Sequence, residues 1–139
     1  MRTRVRWAGS GVHPVLVVFS LGLLATSVLL DVAGLALRQT VWADAARRDL
    51  QLGLAGGAAA GLFALAAVAG SLPGSRARRI TLLRATAHLG SLGLFTSALA
   101  LRRATFPSTA ALILSAAGLA LATLGAWLAF EIASRLDDR

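Results

Sequence analysis

The residues of this sequence that could do chemistry are few, and three of them fall at one end of its apolar segments. His13, His88 and Glu131 each lie within a few helical turns of the same segment boundary. Two imidazoles on diagonal helices of a bundle could hold a haem iron, as in haem b, and an added carboxylate would make a divalent metal set. Alternatively, His13 hydrogen-bonds near the start of its helix while His88 and Glu131 pair. Both interpretations stay open on the sequence.

A second charged group is expected at the opposite boundary. Asp31 lies late in the first apolar segment, and Arg102 and Arg103 lie at the end of the third. A charged side chain at membrane depth costs about 3 kcal/mol or more, so it normally faces the bundle interior and has a partner. We therefore expect a structural ion pair between Asp31 and Arg102 or Arg103.

Other chemistries find no support in the sequence. Cys is absent, which excludes disulfides, thiolate metal sites and Cys nucleophiles. No phosphate-binding loop, zinc-protease motif or nucleophile elbow is present, so no catalytic activity is predicted. His13 and Asp31 are about 27 Å apart along one helix at about 1.5 Å per residue, too far to act together. The net charge of +8 comes from scattered Arg without stacking aromatics, which argues against a nucleic-acid partner.

Composition places these residues in a membrane protein. Of the 139 residues, 57% are hydrophobic and 14% are charged, whereas soluble domains average about 25% charged residues. Four apolar stretches are long enough to cross the roughly 30 Å hydrocarbon core as helices. They cover about residues 12–37, 50–72, 80–101 and 108–132. The sequence thus predicts an all-α fold, a single transmembrane domain over 1–139 built as a four-helix up-down bundle.

The connectors and the first segment complete this prediction. Short links are expected over Arg38–Asp49, Pro73–Arg79 and Arg102–Pro107. The first apolar run is longer than the roughly 7–15 residues of a signal-peptide core, so we expect it to remain as a span.

Small and polar residues fall on shared helix faces. Gly53, Gly57 and Gly61 form a ladder at four-residue spacing, which lets helices approach closely. An exposed ladder would favour self-association, whereas a buried one would stabilise the monomer. Helical spacing also places polar stripes on the first and third segments: His13, Ser20, Ser27 and Asp31, and Arg84, His88, Ser91 and Arg102.

The distribution of Arg predicts the orientation of the chain. An even number of spans places both termini on one side of the membrane. That side carries nine Arg and the opposite side carries five. Because cytoplasmic loops are enriched in basic residues, we expect a multi-pass protein of the inner (plasma) membrane with both termini cytoplasmic.

The first and last helices also carry recognisable motifs. The chain opens with His13-Pro14, has Asp31 late in the first helix, and closes with Gly125-Ala126-Trp127-Leu128-Ala129-Phe130-Glu131. These features resemble an uncharacterised bacterial family, a domain of unknown function of small four-helix membrane proteins. That family has a His-Pro and Phe-Pro-x-Gly opening and a Gly-Trp-Leu-Gly-Gly-Glu ending. Ser20 replaces its Pro, and Ala129 and Phe130 replace its Gly pair. The resemblance implies the fold and the residue set, and no activity.

Two function classes follow from these observations. The first is a small integral membrane protein that binds a haem or a metal through intramembrane His near the cytoplasmic side. The second is a structural or partner-binding membrane subunit with no cofactor. Both have the lipid bilayer as a partner, and both allow a homo-oligomer or another membrane subunit.

Overall fold

Four long helices make up the described part of the chain in a computed structural model, and that part contains no strand. The structure describes residues 6–70, 72–104 and 108–137. The all-helical fold predicted from the apolar segments is confirmed. The helices are α1 (Arg6–Leu37), α2 (Thr40–Ala69), α3 (Arg76–Ala104) and α4 (Thr109–Asp137).

The link between α1 and α2 is much shorter than the sequence predicts. Only Arg38 and Gln39 separate the two helices, and Arg38 has a φ of 53°, the left-handed conformation that often ends a helix. Gln39 Oε1 accepts a hydrogen bond of 3.0 Å from Trp42 Nε1. The connector expected over Arg38–Asp49 is therefore wrong. Apolar residues indicate only the part of a helix that lies in the lipid. The first turns of α2 are polar and extend the same helix beyond that part.

Serine caps begin α3 and α4. Gly74, with a φ of 75°, turns the chain between α2 and α3. Ser75 Oγ then accepts a hydrogen bond of 3.2 Å from the backbone N–H of Arg78. Ser108 Oγ accepts one of 3.2 Å from the backbone N–H of Ala111. Each cap satisfies a backbone donor that has no partner inside the first turn, so the caps fix where the two helices start.

The helices form an up-down bundle in which each helix packs against two neighbours. The α1–α2 and α3–α4 pairs are the closest, the α2–α3 contact joins them, and the α1–α4 contact is the smallest. In this arrangement α1 and α3 are diagonal partners across the core, as are α2 and α4. Residues on α1 and α3 can therefore meet only inside the bundle.

An apolar layer closes the middle of the bundle. Leu24, Leu50 and Phe95, from α1, α2 and α3, are buried together. A β-carbon added at Gly53 would come 2.8 Å from Leu24 Cδ2, and one at Gly57 would come 2.7 Å from a leucine methyl of α3. The glycine ladder on α2 is thus buried and lets α2 approach both α1 and α3, which stabilises the single chain.

The outer surface of the bundle is apolar. Large side chains such as Val18, Leu29, Leu62 and Ile113 are more than 60% exposed, as expected for a surface that faces lipid. Three helices are long and apolar enough to cross a membrane: Val15–Leu37 in α1, Thr40–Ala69 in α2 and Thr109–Leu128 in α4. The third helix falls outside that group, since it carries Arg, His and several Ser and Thr.

Candidate functional site

His88 projects from α3 towards α2 and contacts that helix at Gly57 and Gly61, two residues without side chains. Its Nε2 lies 2.8 Å from the backbone oxygen of Gly57. A carbonyl only accepts hydrogen bonds, so Nε2 carries the proton and donates, which leaves Nδ1 as the other ring nitrogen. A β-carbon at Gly61 would lie 3.6 Å from His88 Cδ2. Two glycines of the ladder therefore form the surface on which the imidazole lies.

A cavity of about 100 Å³ lies beside this imidazole, and all four helices contribute to its wall. We call it the His88 cavity. It has room for several water molecules but is well below the roughly 300 Å³ of a pocket for a drug-sized ligand. Most of its described wall is apolar; the polar residues among those described are Ser20, Arg84, His88 and Ser91.

The polar lining residues differ in whether their side chains have a hydrogen-bond or ion-pair partner. Ser91 Oγ donates a hydrogen bond of 2.8 Å to the backbone oxygen of Gly118 on α4. Ser20 is 2% exposed, and its hydroxyl has no partner within the described part of the chain. Arg84 is exposed and forms no ion pair with any described residue. The guanidinium at the edge of the His88 cavity thus lacks an acidic partner there.

The structure shows the side-chain positions of only two of the three residues predicted to bind a haem or a metal. The backbone of His13 belongs to α1, but its side chain lies outside the described residues. Glu131 is half-buried near the end of α4 and is not a lining residue of the His88 cavity. Among the described residues, no three His, Asp or Glu side chains form a group that could hold a metal ion. The convergence of His13 and His88 stays a prediction.

A buried ion pair lies at the other end of the bundle. Arg102 Nη2 bonds to Asp31 Oδ2 across the diagonal between α3 and α1, and the two side chains are 6% and 11% exposed. The same nitrogen donates a hydrogen bond of 3.0 Å to Ser115 Oγ on α4. The side chain of Arg103, the other candidate partner of Asp31, lies outside the described residues. Together with Ser115, this ion pair connects α1, α3 and α4. Such an arrangement stabilises the packing of the helices.

Comparison with known proteins adds one finding to this geometry. A family model described as "Predicted membrane protein (DUF2231)" matches residues 9–137. The chain belongs to this family. Membership in DUF2231 confirms the resemblance suggested by the motifs at the two ends of the chain. No curated protein and no solved structure matched the chain.

Two polar partners in this DUF2231 protein were not predicted from its sequence. Ser115 is a lone hydroxyl within an apolar run, a signal that could have marked it as a partner for a buried charge. The acceptor for His88 is a backbone carbonyl at Gly57, and a carbonyl leaves no signal in residue types. The polar stripes on α1 and α3, by contrast, contain Ser20, Arg84 and His88, which line the cavity.

Proposed function

We propose that this membrane protein crosses the inner (plasma) membrane four times, with both termini cytoplasmic. The helix α3 packs between α2 and α4 and has 29 residues, as α4 has. A helix of that length is about 43 Å long at about 1.5 Å per residue. If its two neighbours cross the bilayer, α3 crosses with them, and its Arg and His face the bundle or the membrane boundary.

The nine-to-five distribution of Arg supports this orientation. Because the chain has no Cys, single Cys residues can be introduced and labelled from either side of the membrane. We expect Ser75→Cys to be labelled from the cytoplasm and Ala45→Cys from outside. Labelling with the reverse sidedness would overturn the orientation, and labelling of both from one side would overturn the four spans.

We further propose that the protein binds a small ligand in the His88 cavity. The observation that carries this proposal is the cavity itself: a space of about 100 Å³ inside the bundle, with an imidazole on its wall and a guanidinium at its edge. Protein interiors are otherwise close-packed, with few voids larger than a water molecule. A space of this size with polar groups on its wall is better suited to a ligand than to packing.

The size of the cavity favours a small ligand over a haem. A macrocycle needs several times the space present here, since even the pockets for drug-sized ligands have volumes of roughly 300 Å³ or more. A divalent metal would fit the space, and His88 Nδ1 could bind it. That metal would need further ligands, which His13 or Glu131 would have to supply. Absorption spectra and metal analysis of the purified protein test both cofactors directly.

Blocking the cavity tests the proposal. Ala122 lines the cavity on α4, so Ala122→Leu would place a larger side chain in it. The matched control is Ala120→Leu on the same helix, where the side chain is exposed to lipid. We expect mass spectrometry of the intact protein to find a co-purified small molecule on the wild type and on Ala120→Leu, and none on Ala122→Leu. The same ligands on all three proteins would contradict a ligand site here and favour a structural or partner-binding subunit.

A further inference from the structure

The position of Arg84 indicates what kind of ligand the cavity would take. Arg84 lies eight residues after the start of α3 at Arg76, which is about 12 Å along the helix at about 1.5 Å per residue. Arg84 is exposed at that position, and a guanidinium near the membrane boundary can reach the level of the lipid headgroups. No described acidic side chain pairs with it, and the described lining residues of the cavity include neither Asp nor Glu. A ligand that carries a negative charge would supply the missing partner.

The other lining residues of the cavity restrict which kind of anionic ligand would fit. Apart from Ser20, Arg84, His88 and Ser91, the lining residues that the structure describes are apolar. His88 Nε2 and the hydroxyl of Ser91 already donate to backbone carbonyls of α2 and α4. Recognition of charge therefore depends on Arg84, while the remaining wall suits hydrocarbon. A ligand with one anionic group and an apolar body matches this division.

Access to the cavity points to the bilayer as the source of the ligand. Among the described lining residues, Arg84 and Ala126 are the exposed ones, so the cavity opens beside them. Both α1 and α4 line the cavity, and the contact along the seam between these two helices is the smallest in the bundle. The cavity is too small for an acyl chain, but a chain could lie along the seam, among the exposed apolar side chains.

We propose that the mouth of the His88 cavity binds the headgroup of an anionic membrane lipid, with its phosphate or carboxylate at Arg84 and its acyl chain along the α1–α4 seam. This inference rests on the proposed ligand site and names the class of its ligand. A guanidinium binds either anion through two parallel hydrogen bonds.

The test compares two arginines of the same helix in membranes of defined composition. The protein is placed in nanodiscs of phosphatidylcholine that contain a minor fraction of phosphatidylglycerol or oleate, and the lipids retained after release are counted by native mass spectrometry. We expect wild-type protein to retain one anionic lipid. We expect Arg84→Gln to retain it about tenfold more weakly, a loss of about 1.4 kcal/mol, which is of the order of one hydrogen bond to a charged group. Arg79→Gln removes the same charge from an exposed position outside the cavity and should retain the lipid as wild type does.

Two further variants show which part of the proposal is wrong if the expected lipid binding is not observed. Arg84→Lys keeps the charge but loses the paired hydrogen bonds, so it should retain the lipid more strongly than Arg84→Gln and less strongly than wild type, an order that a folding defect would not produce. Equal loss from Arg84→Gln and Arg79→Gln would overturn the site at Arg84 and leave only a diffuse basic surface. Ligand loss in Ala122→Leu without any preference for anionic lipid would retain the ligand site but overturn the proposed class. Binding of free inorganic phosphate in preference to the lipid would overturn the bilayer as the source.

Discussion

Two polar regions of this bundle lie on either side of the Leu24–Leu50–Phe95 layer. Each contains an arginine of α3, and they differ in whether its charge has a partner within the fold. At one end Arg102 pairs with Asp31, and both side chains are almost fully buried. At the other end Arg84 lies at the edge of a cavity with no acidic partner in the described chain. A charge that is paired with an opposite charge within the fold is a structural element. A charge that has no partner beside a cavity is where a ligand should be sought.

The largest effect is expected at the ion pair. Asp31→Asn leaves the Arg102 charge buried without its counter-charge, which typically costs about 3 kcal/mol or more. We expect the free energy of unfolding in detergent to fall by that order, and Arg102→Gln to cause a similar loss. The double variant should lose less than the sum of the two, since each single change already breaks the pair. Strictly additive losses would contradict a direct ion pair.

A smaller effect is expected in the layer between the two regions. A β-carbon at Gly53 would meet Leu24 at Cγ, 2.9 Å away, and at its backbone nitrogen, 3.3 Å away. We expect Gly53→Ala to lower the free energy of unfolding by about 2 kcal/mol, because α1 and α2 would have to move apart. The control is Gly22→Ala, where nothing lies within 4 Å of the added carbon. Equal stability of the two variants would contradict a close approach at Gly53.

The smallest effect on stability is expected at His88. His88→Ala removes one hydrogen bond to a carbonyl that is part of α2, so the loss should be about 1 kcal/mol. Thermal unfolding in detergent compares this variant with Asp31→Asn. A loss as large as that of Asp31→Asn would make His88 a structural residue, and the difference between the two regions would disappear.

The sequence predicted the charged residues better than it predicted their surroundings. The depth of Asp31 and Arg102 in their segments was enough to suggest a pair, because charges inside a bilayer need partners. The start of α2 at Thr40 was missed, since hydropathy reports the lipid boundary and a helix can extend past it. The His88 cavity could not be predicted, because a cavity depends on how side chains of four helices pack together.

The contrast between the two arginines can be measured in one experiment. Thermal unfolding of wild type, Arg84→Gln and Arg102→Gln is followed in nanodiscs of phosphatidylcholine, with and without phosphatidylglycerol. A ligand that binds only the folded state raises the unfolding temperature. We expect Arg102→Gln to unfold at a lower temperature in both membranes and to keep the rise caused by phosphatidylglycerol. Arg84→Gln should match wild type in phosphatidylcholine and lose that rise. The same response from both variants, in stability or in lipid dependence, would contradict the distinction between a structural and a ligand-binding arginine.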